Sequence, residues 1–353
     1  MGDINSCNIH VFDRLISEAE RPVILTHMKP DGDAMGSSVA MYRFLKMLGK
    51  HDVSIVLNDR YPDYLGFLIC DDMRKDVIVM SEESMAAREA IKGSDLLICL
   101  DFNAFHRTDK LEQVIRESTS AKVLIDHHLD PDRSAFACSF SETSISSASE
   151  LLYRILMEMP QIGSDAGRLP AKAAEALMTG MTTDTNNFAN SVFPSTLDMA
   201  SALLAAGVDR DMILNRLYNQ YSENRLRLMG HMMKDLLRIT EDGVAYIVLD
   251  RKTQKEYGMA EGDTEGFVNM PLSIGKVCMS LLLKEDDDRI RVSIRSKKGI
   301  SANRCARLHF NGGGHENAAG GKLNVPSDIN SILEVPEYIE RHTHTFLKEE
   351  NEQ

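Results

Sequence analysis

The stretch PVILTHMKPDGDAMGSS, residues 22–38, decides the fold because an apolar run leads through a polar loop into a helical pattern. Residues 22–26 form a short apolar run, which is typical of a buried strand. The loop after them is rich in turn residues, and from residue 34 to residue 49 apolar side chains recur at helical spacing. A strand followed by a helix is the unit from which parallel α/β sheets are built.

The same alternation continues to about residue 180. Further strands are predicted at residues 53–57, 77–80, 95–100 and 122–125, and helices near residues 107–117, 147–159 and 170–180. We therefore predict an α/β fold whose N-terminal domain, residues 1–190, is a mostly parallel sheet with helices on both faces. In such sheets the carboxyl ends of the strands share one edge, and ligands bind there.

The second half of the chain has a different pattern. Residues 195–237 have helical periodicity, and strands are predicted at residues 244–249, 276–284 and 289–295. We assign residues 191–238 to a helical linker and residues 239–347 to a smaller C-terminal α/β domain. The acidic run at residues 285–288 is predicted to be a solvated turn between two strands.

Composition and charge limit the classes of partner. The 353 residues suggest roughly two domains, and the net charge of -13 argues against a protein that binds long duplex nucleic acid. The first 20 residues lack the apolar segment of a signal peptide, and we find no apolar run long enough to span a membrane. Because the six cysteines are scattered, we expect buried, reduced thiols and a cytoplasmic protein with no membrane partner.

Acidic and histidine residues fall in four clusters, each directly after an apolar segment. The clusters are His27 with Asp31 and Asp33; Asp101; Asp126 with His127 and His128; and Asp184. A single aspartate at such a place is usually a turn former or a helix cap. Four clusters that can converge at one sheet edge instead favour a metal centre. Two histidines and four aspartates exceed one tetrahedral site and suit two manganese-like ions that share a carboxylate.

A second signature is the glycine-rich sequence FNGGGHENAAGG, residues 310–321. Consecutive glycines allow backbone N–H groups to approach a phosphate, and His315 adds a donor. Upstream, Arg295 is predicted at the end of a strand, where its guanidinium can bind a phosphate through two hydrogen bonds. Taken singly, Arg295 would more often form a salt bridge and His315 a local hydrogen bond.

Together these motifs resemble those of the DHH phosphoesterases, a family named for the triplet seen here as Asp126-His127-His128. The first motif of that family reads here as His27, Asp31 and Asp33 followed by Ala34, Gly36 and Ser37. The C-terminal signature is similar to the DHH-associated C-terminal domain through Arg295-Ser296-Lys297, Asn303 and residues 312–320. Within the superfamily the chain most resembles the nano-RNase (oligoribonuclease) and pAp phosphatase group.

The resemblance implies a set of site residues. One metal would be held by His27, Asp31 and Asp101, and the second by Asp33, Asp101, His127 and Asp184. Manganese is the expected ion, with magnesium and cobalt left open. The implied catalytic residues are Asp101 as the bridge, His128 at the leaving group and Asp126 as the carboxylate that orients an imidazole. The implied substrate contacts are Arg107, Arg295, Ser296, Asn303, Gly312, Gly313, Gly314 and His315.

The resemblance also implies an activity. We expect a two-metal phosphoesterase that hydrolyses short oligoribonucleotides, linear dinucleotides or the 3′-phosphate of pAp. The segments after Asp101 and Asp184 differ from the group's usual pattern, which leaves the choice among these substrates open. A soluble cyclic-dinucleotide phosphodiesterase is the alternative among enzymes, and a catalytically silent nucleotide sensor is the alternative from another class. A homodimer is left open.

Overall fold

The computed structural model describes residues 6–260 and 262–351. They form two compact units that divide between Gln220 and Tyr221. This division falls inside the segment predicted as a linker, so the domain boundaries at residues 190 and 239 stay predictions. No helix in the described ranges is both long and apolar enough to cross a membrane. The cysteines at positions 70, 99, 138, 278 and 305 form no disulfide within the described ranges, while the side chain of Cys7 lies outside them.

The first unit is built on a six-stranded sheet. Its strands are β1 (Pro22–Leu25), β2 (Ser54–Leu57), β3 (Val77–Val79), β4 (Leu96–Leu100), β5 (Ala121–Asp126) and β6 (Cys138–Ser141). The spatial order is β3-β2-β1-β4-β5-β6, and every neighbouring pair is parallel. The chain order reverses between β1 and β4, which makes this the point where a crevice opens at the carboxyl ends of the strands.

Helices cover both faces of this sheet, as predicted. They are α1 (Ser6–Glu18), α2 (Gly32–Met47), α3 (Ser84–Gly93), α4 (Glu112–Glu117), α5 (Ala148–Glu158), α6 (Ala171–Asp184), α7 (Pro194–Ala205) and α8 (Arg210–Tyr218). Along β4 the side chains alternate between two cores: Ile98 and Leu100 pack in one, Leu97 and Cys99 in the other. The fully apolar runs in the sequence reflect this burial on both faces.

Two glycines lie where α6 packs against α2 and α5. A Cβ atom on Gly36 of α2 would lie 2.6 Å from the carbonyl oxygen of Ala176 in α6. One on Gly180 of α6 would collide with Oγ of Ser149 in α5 and lie 2.9 Å from Oδ1 of Asp33 in α2. Neither position can therefore accept a side chain without moving its neighbours. This contact fixes the spacing between the helix that carries Asp33 and the helix that ends at Asp184.

The second unit is a smaller α/β unit with a mixed sheet. Its elements are α9 (Glu223–His231), β7 (Arg238–Ile239), β8 (Val244–Leu249), α10 (Arg251–Glu256), β9 (Met279–Glu285), β10 (Arg289–Ser296), α11 (Ala302–His309), β11 (Gly313–Gly314), β12 (Ala318–Asn324) and α12 (Val335–Asn351). The order is β11-β12-β10-β9-β8-β7, and only β8 and β9 are parallel. The acidic run turns between the antiparallel strands β9 and β10, as predicted.

Candidate active site

Three loops converge where the chain order of the sheet reverses. His27 follows β1, Asp101 directly follows β4, and His127 follows β5. Nε2 of His27 lies 3.4 Å from Oδ2 of Asp101, and Nε2 of His127 lies 3.4 Å from Oδ1 of the same carboxylate. Asp101 therefore lies between two imidazoles, with one at each oxygen.

The first candidate ligand group is His27, Asp31 and Asp101, whose ligand atoms all lie within 4.8 Å of one another. The His27 Nδ1–H donates to the carbonyl of Met28 at 2.8 Å, so Nε2 is the ring nitrogen that faces the carboxylates and that can bind a metal once it is deprotonated. Oδ1 of Asp31 accepts from the N–H groups of Asp33 and Ala34 and caps α2. Its Oδ2 lies 3.8 Å from Nε2 of His27.

The second candidate group is Asp33, Asp101 and His127, again within 4.8 Å. Nε2 of His127 lies 3.9 Å from Oδ2 of Asp33 and 3.6 Å from Oδ2 of Asp184. Both carboxylate oxygens of Asp33 accept hydrogen bonds from the backbone at the start of α5. The N–H groups of Ala148 and Ser149 donate to them at 2.6 and 2.9 Å. The structure thus brings all six predicted ligands to one place.

The Asp101 backbone is left-handed. Its φ angle is +62°, a conformation that residues other than glycine, asparagine and aspartate rarely adopt. Its N–H donates to the carbonyl of Ile125 at 3.0 Å, which ties the end of β4 to β5. Left-handed residues other than glycine persist where the surrounding structure enforces them, most often at functional sites.

The donor set fits a divalent cation. Oδ1 of Asp101 is buried and makes no hydrogen bond with any residue that the structure describes. The imidazole nitrogens lie 3.4–3.9 Å from the carboxylate oxygens, which is longer than a hydrogen bond but suits ligands that surround a shared ion. Imidazole nitrogens mixed with carboxylate oxygens are the ligands of manganese-like ions.

The pKa values of these groups reflect an excess of carboxylates over positive charges at the site. Burial lowers the pKa of His27 and His127, but the Asp101 carboxylate between them and the other nearby carboxylates raise both to about 10. Burial and the charges of Asp101 and Asp184 raise the pKa of Asp33 well above its usual value. Burial acts in the same sense on Asp101, but the two imidazoles hold its pKa well below the ordinary range. The carboxylates gathered here thus favour positive charge at this site.

His128 is oriented by Asp126. Nδ1 of His128 lies 2.7 Å from Oδ1 of Asp126, and the His128 backbone N–H donates to Oδ2 at 3.1 Å. Asp126 is fully buried, so both contacts are shielded from water. A carboxylate on one ring nitrogen fixes the tautomer and the ring orientation. Arg107 is half-buried nearby, and its carbonyl accepts the N–H of Met28 at 2.7 Å.

The predicted substrate contacts of the second unit lie around the end of β10. Arg295 is opposite Ala318 of β12, and its guanidinium donates to the carbonyl of Ile294 at 2.9 Å. Ser296 is buried and its hydroxyl donates to the carbonyl of Ile300 at 2.6 Å. Asn303 accepts the N–H of Gly314 at 3.1 Å. The side chains of Ser296 and Asn303 therefore hold neighbouring backbone.

The glycine run packs closely against β12. A Cβ atom on Gly312 would lie 1.9 Å from the carbonyl oxygen of Gly320, and Gly314 has a φ angle of +151°. The N–H groups of Gly312 and Gly314 donate to Ala306 and Asn303. Gly313 pairs with Gly320 in the sheet, and His315 follows directly. These two N–H groups are therefore already used in hydrogen bonds within the protein, and the glycines allow the strands to pack closely. A contact between the glycine run and a phosphate stays a prediction.

Comparison with known proteins gives a family match in each of the two parts of the chain. Residues 21–181 match the DHH family, N-terminal domain, and residues 241–339 match the DHHA1 domain. A crystal structure of an exopolyphosphatase-related protein from Bacteroides fragilis is 35% identical, has a TM-score of 0.90, and aligns over 99% of each chain. The chain belongs to the DHH family.

Two curated DHH relatives are described as bifunctional oligoribonuclease and PAP phosphatase. The protein of Bacillus subtilis is 26% identical over 91% of this chain and 95% of its own length. That of Thermus thermophilus is 29% identical over 88% of each chain. Membership of the DHH family identifies this chain as a hydrolase, as predicted.

Sequence reasoning missed one side chain in the DHHA1 domain. The Asn317 amide donates to Oγ of Ser296 at 3.0 Å and to the carbonyl of Lys297 at 3.2 Å, which ties the end of β10 to the glycine-rich segment. The only signal for it was an amide residue between His315 and Ala318. The DHH match itself ends at residue 181, so Asp184 lies three residues beyond it.

Proposed function

We propose that this DHH-family hydrolase is a two-metal phosphoesterase that acts on short nucleotides. Its substrates are short oligoribonucleotides, linear dinucleotides and the 3′-phosphate of pAp. The single observation that carries the proposal is the placement of Asp101 between the Nε2 atoms of His27 and His127. The activities in the names of the two curated relatives support the substrate class.

Six side chains would hold the ions. His27, Asp31 and Asp101 would bind one, and Asp33, Asp101, His127 and Asp184 would bind the other, with manganese preferred over magnesium or cobalt. Bound divalent ions supply Lewis acidity at the phosphoryl group and lower the pKa of water. The N–H groups at the start of α5 keep the Asp33 oxygens in position, and the cap contacts of α2 do the same for Asp31.

His128 is the proposed proton donor to the leaving oxygen. The Asp126 carboxylate stabilises the charged imidazolium and fixes the ring, so that the proton is delivered from a set direction. Because Asp126 is fully buried, its charge acts through little intervening water. Asp101 contributes by holding a fixed negative charge between two imidazoles.

The DHHA1 domain is proposed to bind the part of the substrate distal to the cleaved bond. Within this domain, Arg295 and His315 supply the charged and polar donors. Arg107 is proposed as a separate phosphate contact of the first unit. The glycines at positions 312–314 have no side chains that would block access to the backbone of this segment. Ser296, Asn303 and Asn317 hold that backbone in place.

A substrate panel tests the proposal. The protein is stripped with EDTA, reloaded with manganese, magnesium or cobalt, and incubated with pAp, a five-residue RNA, a linear dinucleotide and a cyclic dinucleotide. We expect turnover of the first three, fastest with manganese, and none before metal is added. Hydrolysis of the cyclic dinucleotide alone would favour the cyclic-dinucleotide phosphodiesterase. Binding without hydrolysis under every metal would favour a nucleotide sensor.

A further inference from the structure

The segment directly after Asp184 has an unusual backbone. Asn186, Asn187 and Phe188 have φ angles of +46°, +56° and +67° in succession. Asparagine adopts the left-handed region more readily than most side chains do, whereas an aromatic residue there is a genuine outlier. Phe188 is therefore the strained position of the three, at about 1–3 kcal/mol.

Hydrogen bonds fix this turn to the end of α6. The N–H of Asn186 donates to Thr183 at 3.0 Å, and the N–H of Asn187 donates to Thr182 at 2.8 Å. The Phe188 ring packs against the core of the first unit, while the two asparagines are exposed. The turn is therefore rigidly joined to the helix whose last residue, Asp184, is a candidate metal ligand.

Arg210 joins this turn from α8. Its guanidinium carbon lies 5.5 Å from the centre of the Phe188 ring, and its Nη2 donates to Oδ1 of Asn187 at 2.5 Å. In the described ranges it forms no ion pair with a carboxylate, so its charge is balanced only by an aromatic face and a neutral amide. A cation in the first turn of a helix also opposes the helix dipole. Stability of α8 does not explain this arginine.

We propose that Arg210 binds a second phosphate of the substrate, next to the one that is hydrolysed; this inference rests on the proposed function. The Phe188 ring and the Asn187 amide hold the guanidinium plane in one orientation, which pre-organises its remaining N–H groups for a phosphate. The asparagine that holds Arg210 comes three residues after the candidate ligand Asp184, and the candidate ligands include carboxylates, which repel a further anion. Arg210 is thus a specificity residue for nucleotides that carry more than one phosphate.

Matched dinucleotides test this role. The substrates are ApA, which has only the scissile phosphate, and the same dinucleotide with an added 5′-phosphate or 3′-phosphate. For the wild type we expect the added phosphate at one of the two ends to raise kcat/KM by about tenfold or more, as for a charge-assisted hydrogen bond. The Arg210→Ala variant should lose that gain and cleave ApA within twofold of the wild-type rate. Arg210→Lys, which keeps the charge and loses the fork, should retain part of the gain.

Arg216→Ala is the control, because Arg216 is exposed on the same helix. It should leave the gain from both added phosphates unchanged. The inference is overturned if Arg210→Ala keeps the full increase in kcat/KM that the added phosphate gives. It is also overturned if the variant loses kcat/KM for ApA by the same factor as for the phosphorylated dinucleotide. Equilibrium binding of the three dinucleotides in EDTA gives the same comparison without turnover. If the wild type hydrolyses none of them, the proposed function fails, while loss of phosphate-dependent binding in Arg210→Ala still supports this site.

Discussion

The candidate metal centre of the first unit and the candidate phosphate-binding segment of the second unit use the backbone in opposite ways. At the metal centre, backbone N–H groups hold side chains: those of Ala148 and Ser149 fix Asp33. In the second unit, side chains hold the backbone: Asn303 accepts the N–H of Gly314, and Asn317 ties down the turn after β10. We therefore expect a single substitution to abolish the function of the metal centre, where side chains act directly. The phosphate-binding segment should be less sensitive to any one substitution, because many residues together shape its backbone.

The largest expected effect is at Asp101. Asp101→Asn keeps the shape and tolerates the left-handed backbone, but it removes the charge between His27 and His127. We expect kcat to fall on the order of a thousandfold or more, together with loss of bound metal, because one carboxylate serves both ligand groups. Turnover with added manganese and metal content by mass spectrometry measure this.

Asp126→Asn is the matched control for that substitution. It changes the carboxylate that orients His128 and leaves the candidate ligands intact, so roughly a 10–100-fold loss is expected, with metal still bound. Near-normal manganese-dependent turnover in Asp101→Asn would show that this residue is not the bridging carboxylate. It would also contradict the conclusion that the metal centre depends on single side chains.

A smaller effect is expected at Arg295. Arg295→Ala should raise KM for pAp about tenfold, the value of one charge-assisted hydrogen bond, and leave metal affinity unchanged. Arg291→Ala is the control, because Arg291 lies on the same strand, β10, four residues before Arg295 and is ion-paired to Asp286 at 2.8 Å. Titration calorimetry with nucleotide and with manganese separates the two properties. Equal nucleotide affinity in Arg295→Ala and the wild type would remove Arg295 from the substrate site.

The smallest expected effect concerns pH and two histidines of the second unit. Arg341 donates to Nε2 of His342, so the His342 Nδ1–H donates to Nδ1 of His309 at 3.2 Å. The proton of His309 is then on Nε2, which is buried and has no hydrogen-bond partner in the described ranges. Burial lowers the pKa of both rings below 6.5, and His309 and Arg341 lower that of His342 further.

For these two rings the pKa is lower in the folded chain than in the unfolded chain. As the pH falls below 6.5, the unfolded chain takes up protons that the folded rings resist, so stability is lost. We expect His342→Gln to reduce the loss of Tm between about pH 7.5 and pH 5.5 by a few degrees at most. Thermal unfolding of the full chain at both pH values measures it. A steeper loss in the variant would contradict neutral rings in the folded state.

The sequence predicted the first site better than the second for a physical reason. Strands such as β4 are buried on both faces and read as unbroken apolar runs, and the ligands directly follow them. Strand β12, AAGGKLN, has few side chains from which to read a pattern, and neither it nor α11 was predicted. β6, with the sequence CSFS, was missed because half of its residues are polar. The left-handed turn after Asp184 contains no glycine that could have signalled it.

The left-handed backbone of Asp101 has a consequence for protein engineering. Glycine would also adopt this conformation, but it would leave the imidazoles of His27 and His127 without the carboxylate between them. Engineering for thermal resistance should therefore keep Asp101 and change positions away from the site.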